Sequence, residues 1–227
     1  MKDSILMAIE SICDDIATNT GAEENRKRAE AIATLAMSGL LLPDNEETEA
    51  AKAADEFAAS MVNEKLPKPG EHFTYNGMEF VALGEEQGGI LSIAAEPLEE
   101  EMPFDEDGNN DWRKSTLRKW LNEEHIKNFN RGDLLPFVSD LTSDDGMKDY
   151  GTSEDYIALL SCDLYRKYRE YMPKYGTWVW TLMPRSCNPA YASSARGVYP
   201  SGALSINYAN NANAVAAACI FNLSIFE

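Results

Sequence analysis

The spacing of apolar residues in this chain is helical up to residue 66 and mixed beyond it, which demands two differently built regions. Ile5, Ile9, Ile12 and Ile16, with Leu6 and Cys13 alongside, recur every three to four residues and give one apolar face. Gly21 breaks this run. A second helix is expected from about Ala22 to Leu41, with Ile32, Leu35 and Ala36 inward, and "LPDN" stops it at Pro43. A third is expected from about Glu46 to Glu64, with Ala50, Ala53, Ala54, Phe57 and Met61 as its stripe. Three short amphipathic helices bury little surface alone. They are expected to pack on the rest of the chain, as a small capping bundle, or on another copy, as a homo-oligomer contact.

"KLPKPGEHF" reads as a linker by its two prolines and glycine. Beyond it the period shortens. "HFTYNGMEFVALG" predicts two strands around Asn76-Gly77, a hairpin signal, and "GGILSIAAE" predicts another strand. "DWRKSTLRKWLNEEHIKNF" predicts a helix with Trp112, Leu117, Trp120 and Leu121 inward and Ser115 able to cap a turn. "EDYIALLSCDLYRKY" turns from strand-like to helix-like. "GTWVWTLMPR" predicts a strand with Trp178 and Trp180 in alternation. Residues 184–226 predict short strands with turns at Asn188-Pro189, Pro200-Ser201-Gly202 and Asn210–Asn213. The class is α+β: a small helical region over 1–66, then a mixed domain over 67–227.

Charge narrows the partners. Acids outnumber bases 38 to 20, a formal net charge of -18. Such a field repels phosphate, so neither nucleic acid nor an anionic lipid surface is expected as a partner. The start, "MKDSILMAIESICDDIA", carries acids within its apolar run and lacks a signal peptide's plan. "NAVAAACIFNLSIF" is the most apolar stretch and is too short to cross a bilayer. The chain is expected to be made in the cytoplasm without membrane insertion; packaging in a phage particle stays open.

The chemistry-bearing patterns are weak. Asp105, Asp107, Asn109 and Asp111 alternate as calcium ligands do, but the glycine falls at Gly108 and Thr116 stands where a closing glutamate belongs. A solvated acidic turn is the better reading. The four cysteines form no CxxC pair, and His72 and His125 lie far from them, so no zinc site is expected. No nucleophile elbow, phosphate loop or dinucleotide fingerprint occurs. Neither catalysis nor a cofactor is expected.

The tail carries the strongest signal. From Pro184 to Phe226 there is no Lys, Glu, Gln, Met or Trp, although these types make up about a fifth of the chain. A buried core explains missing charge but not the many amides, hydroxyls and tyrosines, which need partners when buried. Tyr, Ser, Asn, Ala and Arg are the residues of adaptable binding surfaces: Tyr gives contact area at low entropy cost, Ser and Asn give flexible hydrogen bonding. Random replacement of the adenines in AAC or AAT codons yields Asn, Tyr, Ser, Ala, Arg, Pro, Ile and Cys, and never the five missing types.

Four stretches then stand in a familiar order: "STLRKWLN" (115–122), "DYIALLSCDLYRKY" (155–168), "WVWTLMPRS" (178–186) and "AVAAACIFNLS" (214–224). Their succession resembles the signature of a bacterial and phage domain family of unknown function, related in architecture to the C-type lectin fold and the formylglycine-generating enzymes. Many members are variable proteins of diversity-generating retroelements, in which an error-prone reverse transcriptase rewrites adenine positions at the gene's 3′ end. The resemblance spans about residues 67–227. The chain departs from the pattern where it has Met183-Pro184-Arg185 in place of Arg-Ser-Pro, and Ala214–Ala218 in place of Gly-Val-Arg-Pro-Ala.

The resemblance implies a C-type-lectin-like domain that displays diversified side chains, over about 178–224, to a protein or cell-surface ligand without metal. The frame would be Trp178, Trp180, Gly197, Val198, Gly202, Leu204, Val215, Ile220, Phe221 and Leu223. The contact positions would be Ser186, Asn188, Tyr191, Ser193, Ser194, Arg196, Tyr199, Asn207, Tyr208, Asn210, Asn211 and Asn213. Two other readings stay open: an oxidase of the formylglycine-generating type, for which Cys187 and Cys219 are the candidate pair, and a phage structural or assembly protein that docks through residues 1–66.

Overall fold

The computed structural model of the chain describes residues 66–226, so the three helices expected over 1–66 lie outside the described residues. The remainder is α+β, mostly sheet. In chain order the elements are β1 His72–Tyr75, β2 Met78–Glu86, β3 Gly89–Ala94, β4 Met102–Pro103, α1 Thr116–Glu123, β5 Leu134–Leu135, β6 Phe137–Asp140, β7 Thr152–Asp155, β8 Ile157–Ala158 and α2 Cys162–Lys167. The tail supplies β9 Val179–Pro184, β10 Ser194–Val198, β11 Leu204–Tyr208, β12 Ala212–Asn213 and β13 Ala218–Phe221. Among the described residues no helix is long and apolar enough to cross a membrane.

The main sheet runs β1-β2-β3-β13-β5, with β8 also paired to β13. The hairpin expected at Asn76-Gly77 opens it: both residues have positive φ, 47° and 81°, as a tight two-residue connection requires. The last strand in sequence is an interior strand in space. β13 pairs β3 along one edge, with Ile220 opposite Leu91, and β5 and β8 along the other. This explains the apolar closing run: every β13 residue is buried because the strand has neighbours on both edges and on both faces. Leu223 falls just beyond, in a 3-10 turn, and is half-buried rather than part of that strand.

The helix expected from Asp111 to Phe129 is broken into three. A 3-10 turn at Trp112–Lys114 ends at Ser115, whose backbone is extended (φ -55°, ψ 132°). There Ser115 takes the amide of Arg118 and caps α1, as anticipated. A second 3-10 turn, His125–Asn128, follows. Trp112 and Leu117 reach the core, and the Trp112 indole donates to Asp155 at 3.0 Å. Asp155 also receives Arg118 Nε at 2.7 Å, so a buried carboxylate ties α1 to β7.

A second sheet, β11-β10-β9, carries the first part of the tail. β9 is buried along its whole length and β11 is the open edge. A bulge interrupts the β9–β10 register between Ala195 and Gly197. A Cβ on Gly197 would stand 2.9 Å from the Val179 carbonyl, so only glycine lets the two strands close there. Ala214 links the hairpin sheet to the chain leading into β13, accepting from Trp180 N at 3.1 Å and donating to the Trp178 carbonyl at 2.9 Å.

Candidate functional site

The tail separates into a sealed frame and an open set of side chains. Trp180, Ala195, Gly197, Ala209 and the run 214–221 are buried. Tyr208 is 62% exposed, Tyr191 52% and Tyr199 45%. Asn188, Ser193, Asn210 and Asn211 are exposed, and Arg196 and Asn207 half-buried. The β10–β11 register pairs Ser194 with Tyr208, Arg196 with Ile206 and Val198 with Leu204, so these six share one face of the hairpin. Asn207 and Ser205 take the other face. Tyr191 precedes β10 and stands at the Tyr208 end. Tyr199 lies beyond the opposite end, about 17 Å away at strand rise. The three tyrosines thus mark the two ends of one hairpin and do not gather at one point.

Three of the expected contact positions belong to the frame instead. Ser186, Ser194 and Asn213 are 2%, 4% and 4% exposed. Ser186 Oγ accepts from the amide of Asn188 at 3.1 Å, closing the turn at its own position. Ser194 faces Tyr208 across the ladder but is itself buried. Asn213 lies in β12, paired with Met102 of β4, and its Oδ1 accepts from Asn207 Nδ2 at 2.9 Å. Asn207 in turn accepts from Asn211 Nδ2 at 2.7 Å. This amide chain holds the loop after β11 in shape.

The residue that fixes the surface was not found by sequence reasoning. Asn110 is fully buried, and its Nδ2 donates to the Ser186 carbonyl at 3.0 Å and to the Ser194 carbonyl at 2.8 Å. One side chain therefore clamps both ends of the loop that carries Asn188, Tyr191 and Ser193. Tyr150 Oη donates to Asn110 Oδ1 at 2.9 Å and fixes which end of the amide points where. Burial, with Cys187 and Asp111 nearby, pushes the Tyr150 phenol up to about 12, so it remains a donor across the physiological range. The only trace in sequence is an uncharged Asn-Asn pair inside an acidic run.

That run is solvated only in part: Glu106 and Asp107 are exposed, as expected of an acidic turn, but its two ends are not. Asp105 and Asp111 are 4% and 1% exposed. Asp105 accepts the amides of Asn109 at 2.9 Å and Thr116 at 3.2 Å. Asp111 receives Arg113 through Nε at 2.9 Å and Nη2 at 2.8 Å. Each buried carboxylate is engaged by the loop's own donors, which is what lets an acidic stretch support a neutral surface. Burial works to raise the Asp111 pKa, but the Arg113 guanidinium outweighs it and holds the carboxyl below the usual range. A depressed folded pKa gives stability that is complete above the unfolded value and is lost as pH falls through the folded one. Asp111→Asn is therefore expected to lower Tm at pH 7 and to flatten its decline below about pH 4. Thermal melts of both proteins from pH 7 to pH 3 measure this.

Charge on the surface itself is nearly absent. Arg196 is paired with Asp144, and the Arg185 guanidinium lies 5.0 Å from the centre of the Tyr191 ring. Tyr199 meets Trp178 edge to face at 4.8 Å. Cys162, Cys187 and Cys219 are buried free thiols, and burial pushes the Cys219 thiol up. No group of three or more acidic, His or Cys residues is placed to hold a metal among the described residues. Comparison with protein-family models, with curated proteins and with solved structures finds no match to this chain.

Proposed function

We propose that the chain is a non-enzymatic ligand-binding protein of C-type-lectin-like build whose C-terminal surface is diversified by adenine-directed mutagenesis. The observation that carries this reading is the division of the tail. The residues of its restricted polar alphabet that stand open, Tyr191, Tyr208, Asn188, Asn210 and Asn211 among them, interrupt a frame that is sealed. Adaptable recognition needs that arrangement, because side chains can vary only where the backbone beneath them does not depend on them.

The genetic code supports the same division. Ala, Gly, Val, Cys and Phe are written without adenine at the first two codon positions. Those types fill buried positions 195, 197, 209, 214–219 and 221. Replacement confined to adenines leaves such positions intact, while Asn and Tyr codons stay open to it. Ile220 and Asn213 are buried residues that the code does not protect.

The expected ligand is a protein or cell-surface molecule, held by tyrosine faces and amide hydrogen bonds on a surface with little net charge. The decisive experiment is sequencing of the DNA beside the gene. A near-copy of the segment encoding about 178–224, differing at adenines and lying next to a reverse transcriptase gene, is the expected result. A locus with neither, in several independent isolates whose tails are identical, overturns the proposal.

A further inference from the structure

Next to the β10–β11 turn lies a cleft of about 170 Å3 that the tail's alphabet does not explain. Its floor is apolar: Ile93, Leu160, Val179, Trp180 and Ala216 are each at most 5% exposed. Tyr165, Tyr175 and Tyr199 line it as well. The polar atoms of three of these rings are already spent on backbone carbonyls. Tyr165 Oη donates to Gly202 at 2.8 Å, Tyr175 Oη to Ala94 at 2.6 Å, and Trp180 Nε1 to Met102 at 2.9 Å. What these rings leave for an occupant is apolar surface.

The charged lining is of one sign. Among the described residues, Arg169 and Lys174 are the only ionisable acids or bases other than tyrosine that border the cleft, in a chain of 38 acids to 20 bases. Arg169 uses Nη1 on the Gly202 carbonyl at 2.8 Å and keeps N–H groups in reserve. Lys174 is exposed. Two carboxylates stand behind the lining: Glu101, reached by Thr177 Oγ1 at 3.4 Å, and Glu96, whose charge acts on Tyr175.

We propose that this cleft binds a small aromatic carboxylate, with its ring over Trp180 and its acid group at Arg169 and Lys174. Size favours one ring and a short arm, since an apolar cavity of about 150 Å3 holds a benzene ring. Two local cations at the rim suit a carboxylate by charge-assisted hydrogen bonds. The field of a molecule with net charge -18 opposes a multiply charged phosphate more than a single carboxylate. The inference does not depend on diversification of the tail: Ile93, Leu160, Arg169 and Lys174 all precede it, while Val198–Gly202 of the hairpin close one wall of the cleft.

The test titrates the full chain with phenylacetate, and with phenylacetamide as its uncharged counterpart, by tryptophan fluorescence and calorimetry. Saturable phenylacetate binding is expected with Kd near 1 mM or tighter, roughly the limit for a ligand of this size held at modest efficiency. The amide should bind about fivefold weaker, the scale of a partly exposed charge pair. Lys174→Glu should remove that preference and Lys174→Arg should restore it. Val198→Phe, a substitution at a half-buried lining residue, should block both ligands while circular dichroism stays native. Absence of saturation by phenylacetate at about 20 mM overturns the proposal. So does equal affinity for acid and amide, or binding that Lys174→Glu and Val198→Phe both leave unchanged.

Discussion

Phe221→Ala is expected to cost the described domain about 3–5 kcal/mol, the range for truncating a fully buried aromatic side chain. Against a total stability of about 5–15 kcal/mol, that loss brings the domain near unfolding at room temperature. Phe221 is 0% exposed, in an interior strand of the main sheet. The ring centres of Phe73, Tyr75 and Phe80 lie within 5.2 Å of its own, and those of Phe129 and Phe226 at 6.3 and 6.5 Å. Removing it opens a void bordered by β1, β2 and the loop after α1, and these rings cannot all collapse into it together. Urea unfolding should give a lower midpoint at an unchanged slope. Ser224→Ala, three residues on and exposed, should change stability by less than about 0.5 kcal/mol. A Phe221→Ala protein that loses under about 1 kcal/mol would remove β13 from the interior of the sheet.

Sequence alone made the local devices of this fold readable and left its long-range ones hidden. The Asn76-Gly77 turn and the Ser115 cap are chemical statements made within a few residues, and both occur where they were expected. The β6–β7 ladder was missed. Its strands, Phe137–Asp140 and Thr152–Asp155, are four residues each, separated by a loop, and too short for a period to register. The acidic stretch at 105–111 was misread at its two ends because composition records charge and not what satisfies it; Arg113 and the backbone amides supply that. Ser186, Ser194 and Asn213 were misread for a related reason. A small polar residue bonded to its own loop has the same letter as one offered to a partner. Asn110 lies 76 and 84 residues from the carbonyls it holds, and no local pattern encodes that separation.

A substitution scan of residues 186–221, scored by resistance of the folded protein to proteolysis, should split the tail in two. Changes at Asn188, Tyr191, Ser193, Tyr208 and Asn210 are expected to fall within about 0.5 kcal/mol of the parent, because these side chains are exposed. Tyr199 should lose more, about 0.5–1.5 kcal/mol, since its ring packs edge to face on Trp178. Gly197 is expected to accept nothing. Any Cβ there meets the Val179 carbonyl at 2.9 Å, and the backbone on both sides is committed to the β9–β10 ladder. Ala195, Ala209 and Ala214 should reject larger residues at about 1–3 kcal/mol each, the cost of overpacking a closed interior. The two classes alternate along the chain, with Ser193 tolerant, Ala195 and Gly197 intolerant, and Tyr199 intermediate, so a general looseness of the C-terminal end would give a different pattern. If the exposed tyrosines and asparagines proved as intolerant as Ala195 and Gly197, their identities would be set by folding, and the surface could not be one whose residues are exchanged at will.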